Sequence, residues 1–279
     1  MEEKKRRLEE GRISAAISKQ PCDIYEFKEY LGYNLNNIGV SYDAEYYRLL
    51  IEHLSKVLFQ GFPIIVNRQT GLNLIKCVAN TIIGKPNVKI MPYSREVTVE
   101  KIGQFLQSAD RVVGLDNFIG NFNETELIPL LEKHRDKIVF LTVVYDRTLR
   151  YLPRELMRYC YYLNSNRIGT LSVNTELTED PSTIKEHSLM PKYEQGNNRF
   201  QNIFREILRE LGYPQSLVEH CVPSITNEDD LCCVLAFDVL PYCADVLQIK
   251  PYNTSERLYK YAGTDGRCPQ KKLLMGWFA

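Results

Sequence analysis

Short apolar runs alternate with segments of helical periodicity through the middle of the chain. The apolar runs predict five strands, which read FPIIV, NVKIMPYS, RVVGLDN, KIVFLTVVYD and YYLNSNRIGTLSV, the last as a strand or hairpin. The helical segments between them read LNLIKCVANTII, VTVEKIGQFLQSA, ETELIPLLEKHRD and PRELMRYC. The runs lack clean apolar and polar alternation, so both faces of the sheet are expected to be covered. This order predicts a five-stranded, mostly parallel α/β sheet with helices on both faces.

The same pattern divides the chain into four parts. Residues 1–44 predict an N-terminal helical arm. Residues 45–175 predict the α/β core, and the stretch 43–60 leading into it has the 3.6-residue spacing of a helix packed on one face. Residues 176–198 are polar and predict a linker. Residues 199–279 include the apolar, helix-like segments NRFQNIFREILRELG and DDLCCVLAFDVLPYCADVL, and predict a small α-helical domain.

Composition and charge weigh against a nucleic-acid-coating, a membrane-spanning and a secreted protein. Lys plus Arg and Asp plus Glu each number 35, so the net charge is zero and a general nucleic-acid coat gains no support. No apolar run approaches the roughly 18 residues of a membrane span, so no membrane partner is expected. The start, MEEKKRRLEE, is charged throughout and unlike a secretory signal, which predicts a cytoplasmic protein.

The eight cysteines are expected to be reduced thiols, since none forms a C-x-x-C pair. A metal site is conceivable from a group near the C-terminal end: His220, Cys221, Cys232, Cys233 and Cys243. Their spacing matches no usual zinc pattern, so core cysteines and no metal are predicted.

The most informative stretch is VNRQTGLN, residues 66–73. It follows a predicted strand and precedes a predicted helix, which is the layout of the phosphate-binding loop G-x-x-x-x-G-K-[ST]. Gly71 matches the second glycine, whereas Val66, Leu72 and Asn73 replace the first glycine, the lysine and the hydroxyl residue. A polar turn over 67–70 and a helix from Gly71 are predicted. The loop is expected to bind ATP weakly or not at all.

Three residues in or near this stretch, Arg68, Asp116 and Gly71, have two readings each. Arg68, which follows Asn67 in the turn, either compensates for the missing lysine or is a solvated side chain, and the second is favoured. Asp116 ends the strand RVVGLDN and either binds a metal or, as favoured, caps the next turn. Asn117 follows, where an ATPase would carry a general base, and an amide cannot act as one. Gly71 suits a helix start and a phosphate contact equally.

The segment LPRELMRY, residues 152–159, resembles a motif of the AAA+ ATPases after their fourth core strand. The helix and strand LLIEHLSKVLFQGFPIIV are also similar to the entry of the core in AAA+ proteins of the MoxR and McrB type. The resemblance implies a P-loop NTPase-like (AAA+) core followed by a helical lid. It also implies one strand between the loop strand and the Asp116 strand, so that Gly71 and Asp116 flank one crevice. Arg158 falls at the arginine-finger position, although Arg154 and Arg158 also suit a solvated helix face.

Three functions remain open at this point. The first is a non-catalytic AAA+-like subunit in a protein assembly, without cofactor, whose partner is an active AAA+ ATPase or another copy of the chain. The second is a divergent ATPase that keeps ATP or ADP with Mg²⁺. The third is a nucleic-acid-binding module using Arg147, Arg150, Arg154 and Arg158, against which the zero net charge and acidic neighbours weigh.

Overall fold

The computed structural model describes most of the predicted core and parts of the C-terminal region. The described residues are 24–168, apart from 42, 45, 85, 153–155, 157 and 158, together with 199–212, 222, 225–250, 257 and 258. Much of the predicted N-terminal arm and the whole linker 176–198 lie outside them. So do His220, Cys221, Arg154 and Arg158, whose predicted roles stay predictions.

Five strands form one parallel sheet, which confirms the predicted fold class at this level. They are β1 Ile64–Asn67, β2 Lys89–Pro92, β3 Val112–Asp116, β4 Ile138–Val143 and β5 Tyr161–Tyr162. The order across the sheet is β2-β3-β4-β1-β5, and every neighbouring pair is parallel. One strand, β4, therefore lies between β1 and β3, as the resemblance implies.

The described helices follow the predicted alternation closely. They are α1 Ile24–Asn37, α2 Tyr47–Val57, α3 Arg68–Ile83, α4 Val99–Ser108, α5 Glu124–Lys133, α6 Arg199–Glu210 and α7 Glu228–Val234. A 3-10 helix, Asp146–Tyr151, follows β4 and was not predicted. After α7 the chain continues through two π-helical segments, Leu235–Val239 and Tyr242–Leu247.

Two apolar clusters cover the two faces of the sheet. Successive strand residues alternate between faces, so Ile64 and Val66 pack into one cluster and Ile65 into the other. The first cluster contains residues of α1, α2, α3, α6 and α7, and the second contains residues of α4 and α5. Helices therefore lie on both faces, as predicted.

The C-terminal helices join the first cluster through both apolar and charged contacts. Lys56 of α2 forms an ion pair with Asp230 of α7, and His53 stacks on Phe237 at a ring distance of 5.3 Å. Burial lowers the pKa of His53 to about 3, so this histidine is neutral and packs as an aromatic ring. These contacts position the segment Tyr242–Leu247 beside the sheet edge described below.

The described cysteines are buried, reduced thiols, in agreement with the prediction for these residues. They are Cys77, Cys160, Cys232, Cys233 and Cys243. Burial raises the pKa of Cys160 to about 12, so the thiol stays protonated and unreactive. Within the described part of the chain, no helix combines the length and apolar character needed to cross a bilayer.

Candidate functional site

The candidate site lies at the carboxyl edge of the parallel sheet. In open α/β sheets, ligands bind outside the carboxyl ends of the strands. Asn67 ends β1 and Asp116 ends β3, while Thr142 is the penultimate residue of β4. The strand register places Asp116 opposite Thr142, and Thr142 opposite Val66. The predicted residues of the degenerate loop and Asp116 are therefore brought to one edge.

Asp116 is held by two donors of the protein itself. The Nε atom of Arg68 donates to both carboxylate oxygens, at 2.9 Å and 3.1 Å, and the Thr142 hydroxyl donates to Oδ1 at 2.5 Å. Asp116 and Thr142 are buried. We call these three side chains the Arg68–Asp116 contact. Arg68 pairs with Asp116 while 54% of its side chain stays exposed, so it is partly solvated, as favoured, and also paired. The Asp116 carboxylate accepts from Arg68 and Thr142, so the favoured reading of a cap on the following turn was wrong.

Asn117 starts the turn after β3. Its φ of 61° lies in the left-handed region, which asparagine adopts more readily than most residues. Its backbone N–H donates to the Thr142 carbonyl and hydroxyl oxygens, both at 3.2 Å. The Asn121 side chain donates to the Asn117 carbonyl at 3.0 Å. This backbone geometry gives Asn117 a structural role in reversing the chain.

Helix α3 begins directly after β1. The predicted turn over 67–70 and the helix start at Gly71 were wrong, because the helix starts at Arg68. Asn67 is the N-cap residue, and its side-chain oxygen accepts from the backbone N–H of Gln69 at 3.0 Å. Asparagine is a favoured N-cap for this reason. The cap satisfies one of the free N–H groups with which a helix N-terminus binds phosphate.

Close packing explains two of the loop substitutions, Val66 and Leu72. A Cβ atom on Gly71 would lie 2.7 Å from the Val66 Cβ, and closer still to a Val66 methyl group. Gly71 is therefore required where the first turn of α3 crosses β1, and Val66 fills the adjacent space. Leu72 packs against the first apolar cluster, and Asn73 is half-buried one residue later.

A second group of polar side chains surrounds a cleft of about 600 Å³ at the same edge. We call it the Asp146 cleft. It opens beside the ends of β1, β4 and β5, and the segment Tyr242–Leu247 forms its far wall. Its lining residues are Asn67, Val144, Tyr145, Asp146, Arg147, Asn164, Asn166, Arg167, Ala244, Asp245 and Gln248.

The two carboxylates of the Asp146 cleft have different surroundings. Asp245 accepts from Arg167 at 2.7 Å and 2.8 Å, and from the Asn164 amide at 2.7 Å. Asp146 Oδ2 accepts from the Asn166 amide at 3.2 Å. Asp146 Oδ1 is buried and has no hydrogen-bond partner of acceptable geometry among the described residues.

Burial raises the pKa of Asp146, and the negative charge of Asp245 raises it further. The amides of Asn67 and Asn166 favour the ionised form and oppose this rise. Desolvation without a cationic partner is the physical cause. Asp146 is thus a carboxyl group whose charge the protein does not fully compensate.

Apart from Asn67 and Arg147, the residues of this cleft were not predicted from the sequence, and neither was Thr142. Their only local signal was a polar stretch after a strand, as in YDR after β4 and NSNR after β5. Such stretches also occur in ordinary loops, so their convergence required the tertiary structure. Among the described residues, no group of three or more His, Cys, Asp or Glu side chains is placed to hold a metal ion.

Known proteins offer no guide to the function of the carboxyl edge. No family model, curated protein or solved structure matches this chain. The Arg68–Asp116 contact, the capped start of α3 and the Asp146 cleft are therefore the features that bear on function. The site consists of two neighbouring halves of one sheet edge, one closed by protein contacts and one open.

Proposed function

We propose that this chain is a cytoplasmic, non-catalytic, AAA+-like subunit of a protein assembly. On this proposal the sheet and its helices are the AAA+-like core, and the helices after residue 198 are the lid. The strand order, with β4 between β1 and β3, supports the proposal. The observation that carries it is the Arg68–Asp116 contact, which engages the carboxylate that an active ATPase would offer to Mg²⁺.

The energetic balance favours a site without nucleotide. Binding Mg-ATP would require Arg68 to leave Asp116 and a metal to replace it on a buried carboxylate. Leu72 supplies no cation for the phosphates. The N-terminal dipole of α3 attracts anions, but such a term contributes only about 0.3–1 kcal/mol at an exposed end. Charge neutralisation by lysine and metal is normally the larger contribution, so its loss dominates.

Calorimetry with Mg-ATP tests this proposal. The wild-type chain should give no binding heat at sub-millimolar nucleotide and no ATPase activity. Arg68→Ala should be compared with Arg48→Ala, since Arg48 is 81% exposed and reaches Asp229 only at 4.0 Å. Binding by Arg68→Ala alone would identify the Arg68–Asp116 contact as the block. Binding by the wild type, or turnover that disappears in Asp116→Ala, would favour the divergent ATPase.

The proposed role in an assembly has its own test. If Arg158 serves an active neighbouring ATPase as an arginine finger, Arg158→Ala should slow that neighbour's hydrolysis by about 10³–10⁵-fold. The reconstituted complex should stay intact, and Arg48→Ala should leave the rate unchanged. An intact complex whose activity ignores Arg158→Ala would count against the finger role. It would leave the non-catalytic assembly role in place.

A further inference from the structure

The Asp146 cleft is a second site that the proposed function does not use. Its volume of about 600 Å³ lies within the usual range of small-molecule pockets, about 300–1,000 Å³. It spans the ends of β4, β1 and β5, whereas Asp116 ends β3, on the other side of β4. The Arg68–Asp116 contact and the cleft are therefore separate, although Asn67 borders both.

The charges of the cleft leave one group uncompensated. Asp245 has a two-pronged contact with Arg167 and an amide donor besides. Asp146 accepts one amide hydrogen bond, from Asn166, and the Asn67 amide also favours its ionised form, but neither is a cation. Its buried Oδ1 atom accepts from no described residue. Arg147 also lines the cleft, but it is exposed, so water screens its charge. The cleft therefore lacks a donor, and specifically a positively charged one, at Asp146.

We propose that the Asp146 cleft binds a ligand through a guanidinium or protonated amine group that donates to the Asp146 carboxylate. Charge-assisted hydrogen bonds of this kind are shorter and stronger than neutral ones, and a guanidinium can donate two in parallel. Tyr145 lines the same cleft and is 73% exposed. Its ring offers a face on which a cation is favourably placed.

Four probes separate charge, shape and source of the ligand. Butylguanidine carries the proposed group, and butylurea has the same planar shape without the charge. Butylamine tests a protonated amine. N-acetyl-arginine amide presents the guanidinium as a protein side chain would.

Calorimetry on the full chain should show butylguanidine binding at least about tenfold tighter than butylurea, as a charge-assisted hydrogen bond implies. If N-acetyl-arginine amide binds more tightly than butylguanidine and butylamine, the ligand is a protein side chain. If butylguanidine or butylamine binds more tightly than N-acetyl-arginine amide, the ligand is a free small molecule.

Matched variants locate the binding. Asp146→Asn should weaken butylguanidine at least about tenfold. Asp110→Asn should leave it unchanged, because Asp110 is exposed and precedes β3 at the opposite edge of the sheet. Side-chain amide signals of Asn164 and Asn166 should shift on titrating the wild type, which tests the site even if Asp146→Asn folds poorly. Equal affinity for butylurea, equal binding by Asp146→Asn, no binding at millimolar concentration, or unmoved amide signals would overturn the proposal.

Discussion

Each half of the carboxyl edge contains an aspartate carboxylate, and the two carboxylates differ in how many hydrogen bonds they accept from the protein. Asp116 and Asp146 both follow a strand core, at the end of β3 and three residues after β4. Asp116 receives three hydrogen bonds from Arg68 and Thr142. Asp146 receives one, from Asn166, and keeps a buried oxygen without a partner among the described residues. The fold thus satisfies the carboxylate of Asp116 and leaves that of Asp146 partly unsatisfied, which is the contrast on which the proposed ligand site rests.

The first turn of α3 connects the two halves. Arg68 reaches Asp116 on one side. Thr70 contacts the Ser165 hydroxyl at 2.6 Å and donates to Asn166 Oδ1 at 3.0 Å on the other. The helix start that replaces a phosphate loop thus supplies contacts to both halves. Changes in this turn should affect the whole edge, while changes at either carboxylate should affect one half.

The largest effect is expected from Gly71→Val, which should disturb both halves together. Even a Cβ atom would collide with the buried Val66 side chain, and overpacking of this kind costs up to about 3 kcal/mol. The free energy of unfolding from urea titration measures it. Gly103→Ala in α4 is the control, because its Cβ would meet only one atom, at 3.9 Å. Gly103→Ala should raise the free energy of unfolding by up to about 1 kcal/mol, because alanine has a higher helix propensity than glycine. An equal loss in both variants would refute the packing role of Gly71.

Asp116→Ala should destabilise by about 2 kcal/mol, because it leaves the buried Thr142 hydroxyl without its acceptor. Asp136→Ala is a suitable control, since 70% of the Asp136 side chain is exposed. Urea unfolding of both variants measures the difference. If both variants lose the same small amount of unfolding free energy, the Arg68–Asp116 contact contributes little to stability. The contrast between the two halves of the edge would then not hold for Asp116.

Arg68→Ala should cost less, at most about 1 kcal/mol. Half of the Arg68 side chain is already in water, and exposed ion pairs contribute little to stability. Water can enter the vacated space and solvate Asp116. A double-mutant cycle with Asp116→Ala, followed by urea unfolding, would give the coupling directly. A coupling near zero would show that Thr142 alone holds the carboxylate.

Asp146→Asn should be neutral or slightly stabilising near pH 7, in contrast to Asp116→Ala. The folded-state pKa of Asp146 is raised above its ordinary value of 3.8 by burial and by Asp245, against the opposing amides of Asn67 and Asn166. The folded state therefore binds the proton more tightly than the unfolded state. The contribution of Asp146 to stability falls as pH rises from 3.8 through the raised pKa, and then stays low.

Urea unfolding from pH 4 to pH 8 checks this sign. The stability difference between Asp146→Asn and wild type should grow from acid to neutral pH and then level off. Asp110→Asn serves as the exposed control. A difference that shrinks towards neutral pH would mean that the ionised Asp146 is stabilised by the fold, and the two halves would then be alike.

Much of the fold was predictable because apolar residues recur at different spacings in strands and in helices. The runs around Ile65, Leu115 and Leu141 gave three buried parallel strands at the expected places. The start of α3 was also readable from local chemistry, since Asn67 is a favoured N-cap. The similarity to a phosphate-binding motif instead predicts a helix start at Gly71, which is later than the observed start at Arg68.

The sequence by itself determined the alternation of strands and helices, the missing lysine at Leu72 and the absence of a general base at Asn117. These follow from residue type and spacing alone. Only the tertiary structure decided that Arg68 pairs with Asp116 and that Asp146 gains no cationic partner among the described residues. Hydrogen bonding and desolvation depend on which side chains the parallel strands bring to one edge, and these partners lie tens of residues apart in the chain.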